Sequence, residues 1–214
     1  GNGEFDVEVS EQSPSIETSM NVDLTLRKFT GDFGFVISAF YNQIDDFYYQ
    51  QDSGFMTVEG EQELPVLAFK QDDVDMYGIE AEVIYQISEP LKATLFTDVI
   101  HTELSNNDAL PRIPPMRLGL VLNYQTQDYS GELSVSHYLD QTDIGPLETP
   151  TEGYTMVDAN FNYYLDNIGL ESEVVVFLKG QNLTDVNARV HSSFLKNVAP
   201  LPGRGVTLGI RGYF

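Results

Sequence analysis

Apolar and polar side chains alternate along most of this chain with a period of two, and the alternation runs to the last residue. In the terminal stretch, RGVTLGIRGYF at 204–214, Val206, Leu208, Ile210 and Phe214 share one parity, and Thr207, Gly209, Arg211 and Tyr213 share the other. Successive side chains of a strand point to opposite faces, so this spacing predicts a strand with one apolar and one mixed face. Chain ends usually fray unless they are tied down. A terminus inside an apolar strand therefore argues for a sheet in which that strand has a structural duty.

The same pattern recurs upstream. Val22, Leu24 and Leu26 oppose Asn21, Asp23, Thr25 and Arg27; Phe33, Phe35, Ile37, Ala39 and Tyr41 repeat the pattern after a Thr30–Gly31–Asp32 turn. Tyr77, Ile79, Ala81, Val83, Tyr85 and Ile87 alternate with Gly78, Glu80, Glu82 and Gln86. Two carboxylates on one parity of an apolar strand are costly in a dry core but harmless against water. Further strands are expected at 91–104, 116–125, 133–139, 155–165, 170–182 and 204–214, about nine in all, and no segment has a helical period.

The connections sharpen the prediction. Short turns at 30–32, 88–90, 128–130 and 166–169 alternate with long connections at 51–63, 105–114, 143–152 and 183–203. Hairpin strands alternate in direction, so all short turns fall on one edge and all long loops on the other, as in outer-membrane barrels. A soluble sandwich would bury its apolar parity and charge the other strongly. Here the second parity is polar without being strongly charged, as for a lipid face and a wet lumen.

Composition excludes several classes. The 33 Asp and Glu against 11 Lys and Arg leave a formal charge of −22, which argues against nucleic acid as a partner because phosphate contacts need cations. Such a balance suits cation capture or solubility. With no cysteine there is neither a disulfide framework nor a thiolate metal site. No apolar run reaches the ~18 residues of a membrane helix. Residues 1–10 hold no basic residue and no apolar core, so no secretory signal is expected there. Such a chain is either cytoplasmic or a piece of something longer. Enzyme chemistry has no visible constellation: His101, His137 and His191 are scattered, and Glu80 with Glu82 reads as a solvated lumen lining rather than a catalytic carboxylate pair.

Six segments, in order, carry a family resemblance: GDFGFVISAFYNQIDDF at 31–47, YGIEAEV at 77–83, LPRIPPMRLGLVLNY at 110–124, GYTMVDANFNY at 153–163, GQNLTD at 180–185 and PGRGVTLGIRGYF at 202–214. Together they resemble the C-terminal half of TonB-dependent outer-membrane receptors. The resemblance implies an all-β, antiparallel up-and-down transmembrane barrel of roughly 22 strands, of which this chain supplies about nine C-terminal ones over residues 1–214. The plug domain and earlier strands would lie elsewhere, making this chain a fragment. It also implies residence in the outer membrane of a Gram-negative cell among its lipids. Energised import would run through the TonB–ExbB–ExbD complex acting on the plug, and insertion through the barrel-assembly machinery. The assembly signal of such barrels maps onto Thr207, Gly209 and Phe214, with Gly212 departing from the expected apolar position.

The cargo is read from RVHSSFLKNVAPLPGR at 189–204 and LPRIPPMR at 110–117, which resemble the zinc-uptake branch. Zinc sites without cysteine use imidazole and carboxylate, so His191 is the candidate ligand. Asp45, Asp46, Asp72 and Asp73 are candidate loop residues attracting a cation. Their alternative reading is solvated loop tips, and that of His191 is a structural loop position. Phe47, Tyr48, Tyr49 and Phe55 form either an upper aromatic girdle or a stacking surface for a haem or aromatic siderophore. Other classes left open are a surface adhesin on a similar barrel and a soluble all-β binding module.

Overall fold

The computed structural model describes residues 15–59, 62–165 and 173–213 of the 214-residue chain. They form one sheet of nine strands: β1 (Thr18–Lys28), β2 (Phe33–Glu59), β3 (Gln62–Ser88), β4 (Leu91–Leu104), β5 (Arg117–Gln125), β6 (Tyr129–Tyr138), β7 (Tyr154–Leu165), β8 (Glu173–Gln181) and β9 (Gly205–Tyr213). Each strand pairs antiparallel with its sequence neighbour, in the order β1 to β9. This is the expected meander. Short turns join β1 to β2, β3 to β4 and β5 to β6, while long connections follow β4, β6 and β8. The turn expected at 166–169 lies outside the described residues.

One connection departs from expectation. In place of a long loop at 51–63, β2 and β3 are 27-residue strands that run on as a hairpin almost to their tip. Irregularities between Ile44 and Phe47 and between Asp52 and Met56 shift the register. The first places one extra residue on β2 and swaps which parity faces which way, while the second places two extra and leaves the parity as it was, so a strict alternate-residue count loses the strand there.

The register places the apolar parity on one continuous face. A single row crosses Phe33, Tyr85, Ala93, Leu122, Leu133, Ala159, Gly180 and Val206, and the next crosses Phe35, Val83, Leu95, Leu120, Val135 and Val157. These side chains are unusually bare: Leu95 is 55% exposed, Leu208 73% and Ile79 48%. Contiguous apolar surface on this scale marks a lipid or protein interface. Aromatic pairs bound it, Phe33 opposite Tyr85 near the short-turn edge and Tyr41 opposite Tyr77 towards the other. From Phe33 to Tyr41 the strand rises about 27 Å at ~3.4 Å per residue. A tilt near 40° reduces this to about 21 Å, close to the ~25 Å apolar band of membrane barrels.

The opposite face is polar and carries a groove of about 650 Å³ lined by Ser38, Phe40, Glu80, Glu82, Asp98 and Arg117 among others. Arg117 donates through Nε and Nη2 to Asp98 Oδ1 at 2.8 and 2.6 Å and lies over the Phe96 ring. Further along, Asn123 donates to Glu132 (2.8 Å) and Asn162 to Ser130 (3.1 Å). Aromatic rings on this face cover glycines on the next strand: Phe96 covers Gly119 and Phe177 covers Gly209, and a Cβ at Gly209 would stand 2.4 Å from the ring. The glycine of the expected assembly signal therefore has a local duty in the sheet, since any larger residue displaces Phe177.

The dry core lies away from the sheet centre. Val74, Leu104 and Leu110 are almost fully buried, with Ile44, Phe47, Tyr49, Met76 and Ile113 packed on them. Phe47 and Tyr49 are thus core residues beneath the long connections and do not belong to a girdle. Tyr48 faces the other way, stacked on Phe69 at 5.1 Å between centroids, and Phe55 is 73% exposed.

Candidate functional site: the cap formed by the long connections

The motifs singled out by resemblance act first as anchors for the connections. In 180–185, Asn182 adopts φ +47°; its Nδ2 donates to Val186 O (2.9 Å) and Pro202 O (3.1 Å), and its Oδ1 accepts from Val186 N (3.0 Å). A short polar side chain tolerates this backbone region and closes such turns. Asp185 Oδ1 accepts from Arg204 N at 2.9 Å, and the Arg204 guanidinium stands 3.7 Å from its other oxygen. These contacts fasten both ends of the 182–204 connection to the start of β9. In 110–117, Leu110 N donates to the buried Thr102 Oγ1 at 3.0 Å.

Above these anchors, three connections converge on one carboxylate. Glu148 accepts from Lys196 Nζ at 3.0 Å, from Arg112 N at 3.1 and 3.2 Å, and from Gly145 N at 3.1 Å. His191 Nε2 lies 3.2 Å from Glu148 Oε1, facing it without the alignment of a hydrogen bond. The other ring nitrogen, Nδ1, is 2.7 Å from Thr151 Oγ1 and 3.4 Å from Lys196 Nζ. An ammonium only donates, so Nδ1 accepts and the ring proton sits on Nε2, facing the carboxylate. Lys196 Nζ also donates to Thr149 O at 2.7 Å.

Burial opposes the charge on Glu148, yet the His191 and Lys196 contacts and the Arg112 backbone N–H outweigh it and hold the carboxyl at about 2. The Arg112 guanidinium, lowered by burial against the pull of Glu148, donates to Gln50 O at 3.0 Å and lies 4.1 Å over the Phe194 ring. It also lines a cleft of about 440 Å³ with Phe47, Tyr49, Phe69, Leu110 and Ile113.

His191 is therefore brought together with a loop carboxylate, with Lys196 Nζ 3.0 Å from that carboxylate and 3.4 Å from the ring. The four aspartates sit near one another on paired strands without forming a metal-holding group. Asp45 and Asp46 lie on β2 and Asp72 and Asp73 on β3, not in a loop. Asp73 accepts from Asp46 N (3.0 Å) at the bulge, Asp45 accepts from Thr18 Oγ1 (3.4 Å), and Asp72 accepts from Ser105 Oγ and Asp73 N. Among the described residues no group of three or more His, Asp or Glu is placed to hold a metal ion. Thr207 and Gly209 sit on β9; Phe214 lies outside the described residues. Glu148 and Lys196 escaped the sequence reading because each is a single charged residue in a polar connection, 48 positions apart, with no spacing to link them.

Residues 11–183 match the family model described as TonB dependent receptor-like, beta-barrel. Among solved structures, the chain is similar to the copper transporter OprC, with 17% identity over 92% of this chain and 32% of that one and a TM-score of 0.74. It is also similar to the FrpB iron transporter from Neisseria meningitidis, with 17% identity, 94% and 32% coverage and a TM-score of 0.68. A third is the ferric yersiniabactin uptake receptor FyuA from Yersinia pestis, with 17% identity, 92% and 29% coverage and a TM-score of 0.60. At this identity the likeness is one of fold. The chain spans about a third of the length of each of these structures.

Proposed function

The chain belongs to the TonB-dependent receptor β-barrel family, and from that premise we propose that it is the C-terminal barrel portion of an outer-membrane receptor importing a scarce metal species. The observation that carries the reading is the pairing of a bare apolar face with a polar groove on the other side of the same nine strands, as a lipid-facing wall with a wet lumen requires. The edge with long connections then faces outward and meets the cargo, and TonB supplies the energy through the plug of the whole receptor. The similar proteins handle copper, iron and ferric yersiniabactin by their names.

Zinc is the cargo to test first, on the likeness of 189–204 to the zinc-uptake branch. Deleting the gene is expected to lower uptake of labelled zinc under zinc limitation, and deleting the TonB complex is expected to lower it equally. Unchanged zinc uptake with reduced entry of a ferric chelate would move the assignment to a second reading, an aromatic siderophore or haem receptor. That reading has its own support in the cleft lined by Tyr48, Tyr49, Phe69 and Arg112, since aromatic rings and a guanidinium suit a planar anionic chelate. Entry of zinc, ferric chelates and haem all unchanged by the deletion would instead indicate a non-transporting surface adhesin barrel.

A further inference from the structure

We propose that the three connections 105–116, 139–153 and 182–204 open and close as one body, with Glu148 as the latch that joins them. The chain has only 11 Lys and Arg against 33 Asp and Glu, yet Arg112, Arg189 and Lys196 all lie in this cap. Glu148 accepts from every connection: from the Arg112 backbone N–H of the first, the Gly145 N–H of its own and Lys196 Nζ of the third, where His191 Nε2 also faces it at 3.2 Å. Arg189 Nη1 donates to Lys196 O at 2.5 Å, bracing the lysine. The Arg112 side chain extends the same set to Gln50 on β2 and to Phe194.

Two features make the latch all-or-none. The first is burial: the side chains of Glu148 and Lys196 are each 8% exposed and that of His191 1%. Withdrawing any one partner leaves the others as uncompensated charge or unmade hydrogen bonds in a poorly solvated place. Partial opening is then less favourable than either end state. The second is backbone geometry: Arg112 and Leu147 both hold φ of +64°. For a bulky residue this conformation persists only where the surroundings over-determine it. Both lie against the same carboxylate, one as its donor and one as its chain neighbour, and both can relax once it leaves.

Because Arg112 also lines the 440 Å³ cleft, opening the latch reshapes the cleft. That this cleft meets cargo rests on the uptake reading above; the coupling of the three connections does not. Hydrogen exchange on the full-length receptor in detergent, with no cargo present, tests the coupling apart from transport. Glu148→Ala is expected to speed amide exchange at least about tenfold in all three connections at once, with β4 and β5 unchanged. Added acetate, a free carboxylate able to enter the space left by the side chain, is expected to restore protection in all three together. Acceleration confined to 139–153, or protection that acetate leaves unrestored, overturns the proposal. Should the Glu148→Ala receptor not assemble, Lys196→Met serves instead: joint acceleration supports the latch, and acceleration limited to 182–204 overturns it.

Discussion

At the scale of single residues, Glu148 shows how environment decides what a side chain does. Its carboxyl is held at about 2, against an ordinary 4.5, because burial, which opposes the charge, is outweighed by the His191 and Lys196 contacts and the Arg112 backbone N–H. A carboxyl whose folded pKa lies below its unfolded value contributes stability above the unfolded pKa and loses it as pH falls through the folded one. The contribution, on the order of 3 kcal/mol, is therefore full at neutral pH and disappears between about pH 4.5 and 2. Limited proteolysis across that range is expected to cleave the connections increasingly as pH drops, and the Glu148→Gln receptor is expected to be cleaved at neutral pH. The sequence displays Glu148 as one acid among 33. His191 stood out as the one imidazole of a stretch resembling the zinc-uptake branch, and its spacing could not reveal that it is enclosed rather than offered to solvent.

At the scale of the strands, the two faces obey opposite rules. On β9, Leu208 points from the apolar face and is 73% exposed, whereas Asn160 on β7 lies on the polar face and donates to Glu132 at 3.3 Å. Leu208→Arg is expected to destabilise the barrel in lipid by about 2–4 kcal/mol, and Asn160→Arg by far less. Urea unfolding of the full-length receptor in vesicles measures both, and equal tolerance would refute the lipid-face assignment. Strand positions were largely legible, β4 at Leu91–Leu104 among them, because a period of two persists wherever one face meets lipid. It failed on β2 and β3 beyond Ile44, where a one-residue bulge flips the parity, a two-residue irregularity interrupts the pairing and the strands have left the apolar band.

For the whole molecule, the sheet is built inside out relative to a soluble domain. Its apolar surface is bare, and its dry core, around Val74, Leu104 and Leu110, sits under the connections. The chain expressed alone is expected to remain monomeric only with detergent or lipid, as sedimentation would show. A folded monomer in plain buffer would favour the soluble binding module. β1 and β9 each have a single neighbour in the sheet, and exposed strand edges promote association.

The sequence by itself determined the architecture: alternation is a local property of a strand, and turn length is written residue by residue, so nine antiparallel strands with unlike faces and unlike edges could be read directly. Only the tertiary structure decided what the connections do. The meeting of Glu148 with Arg112, His191 and Lys196 joins residues up to 48 positions apart. Its strength comes from exclusion of water, which no spacing of charges along a chain encodes.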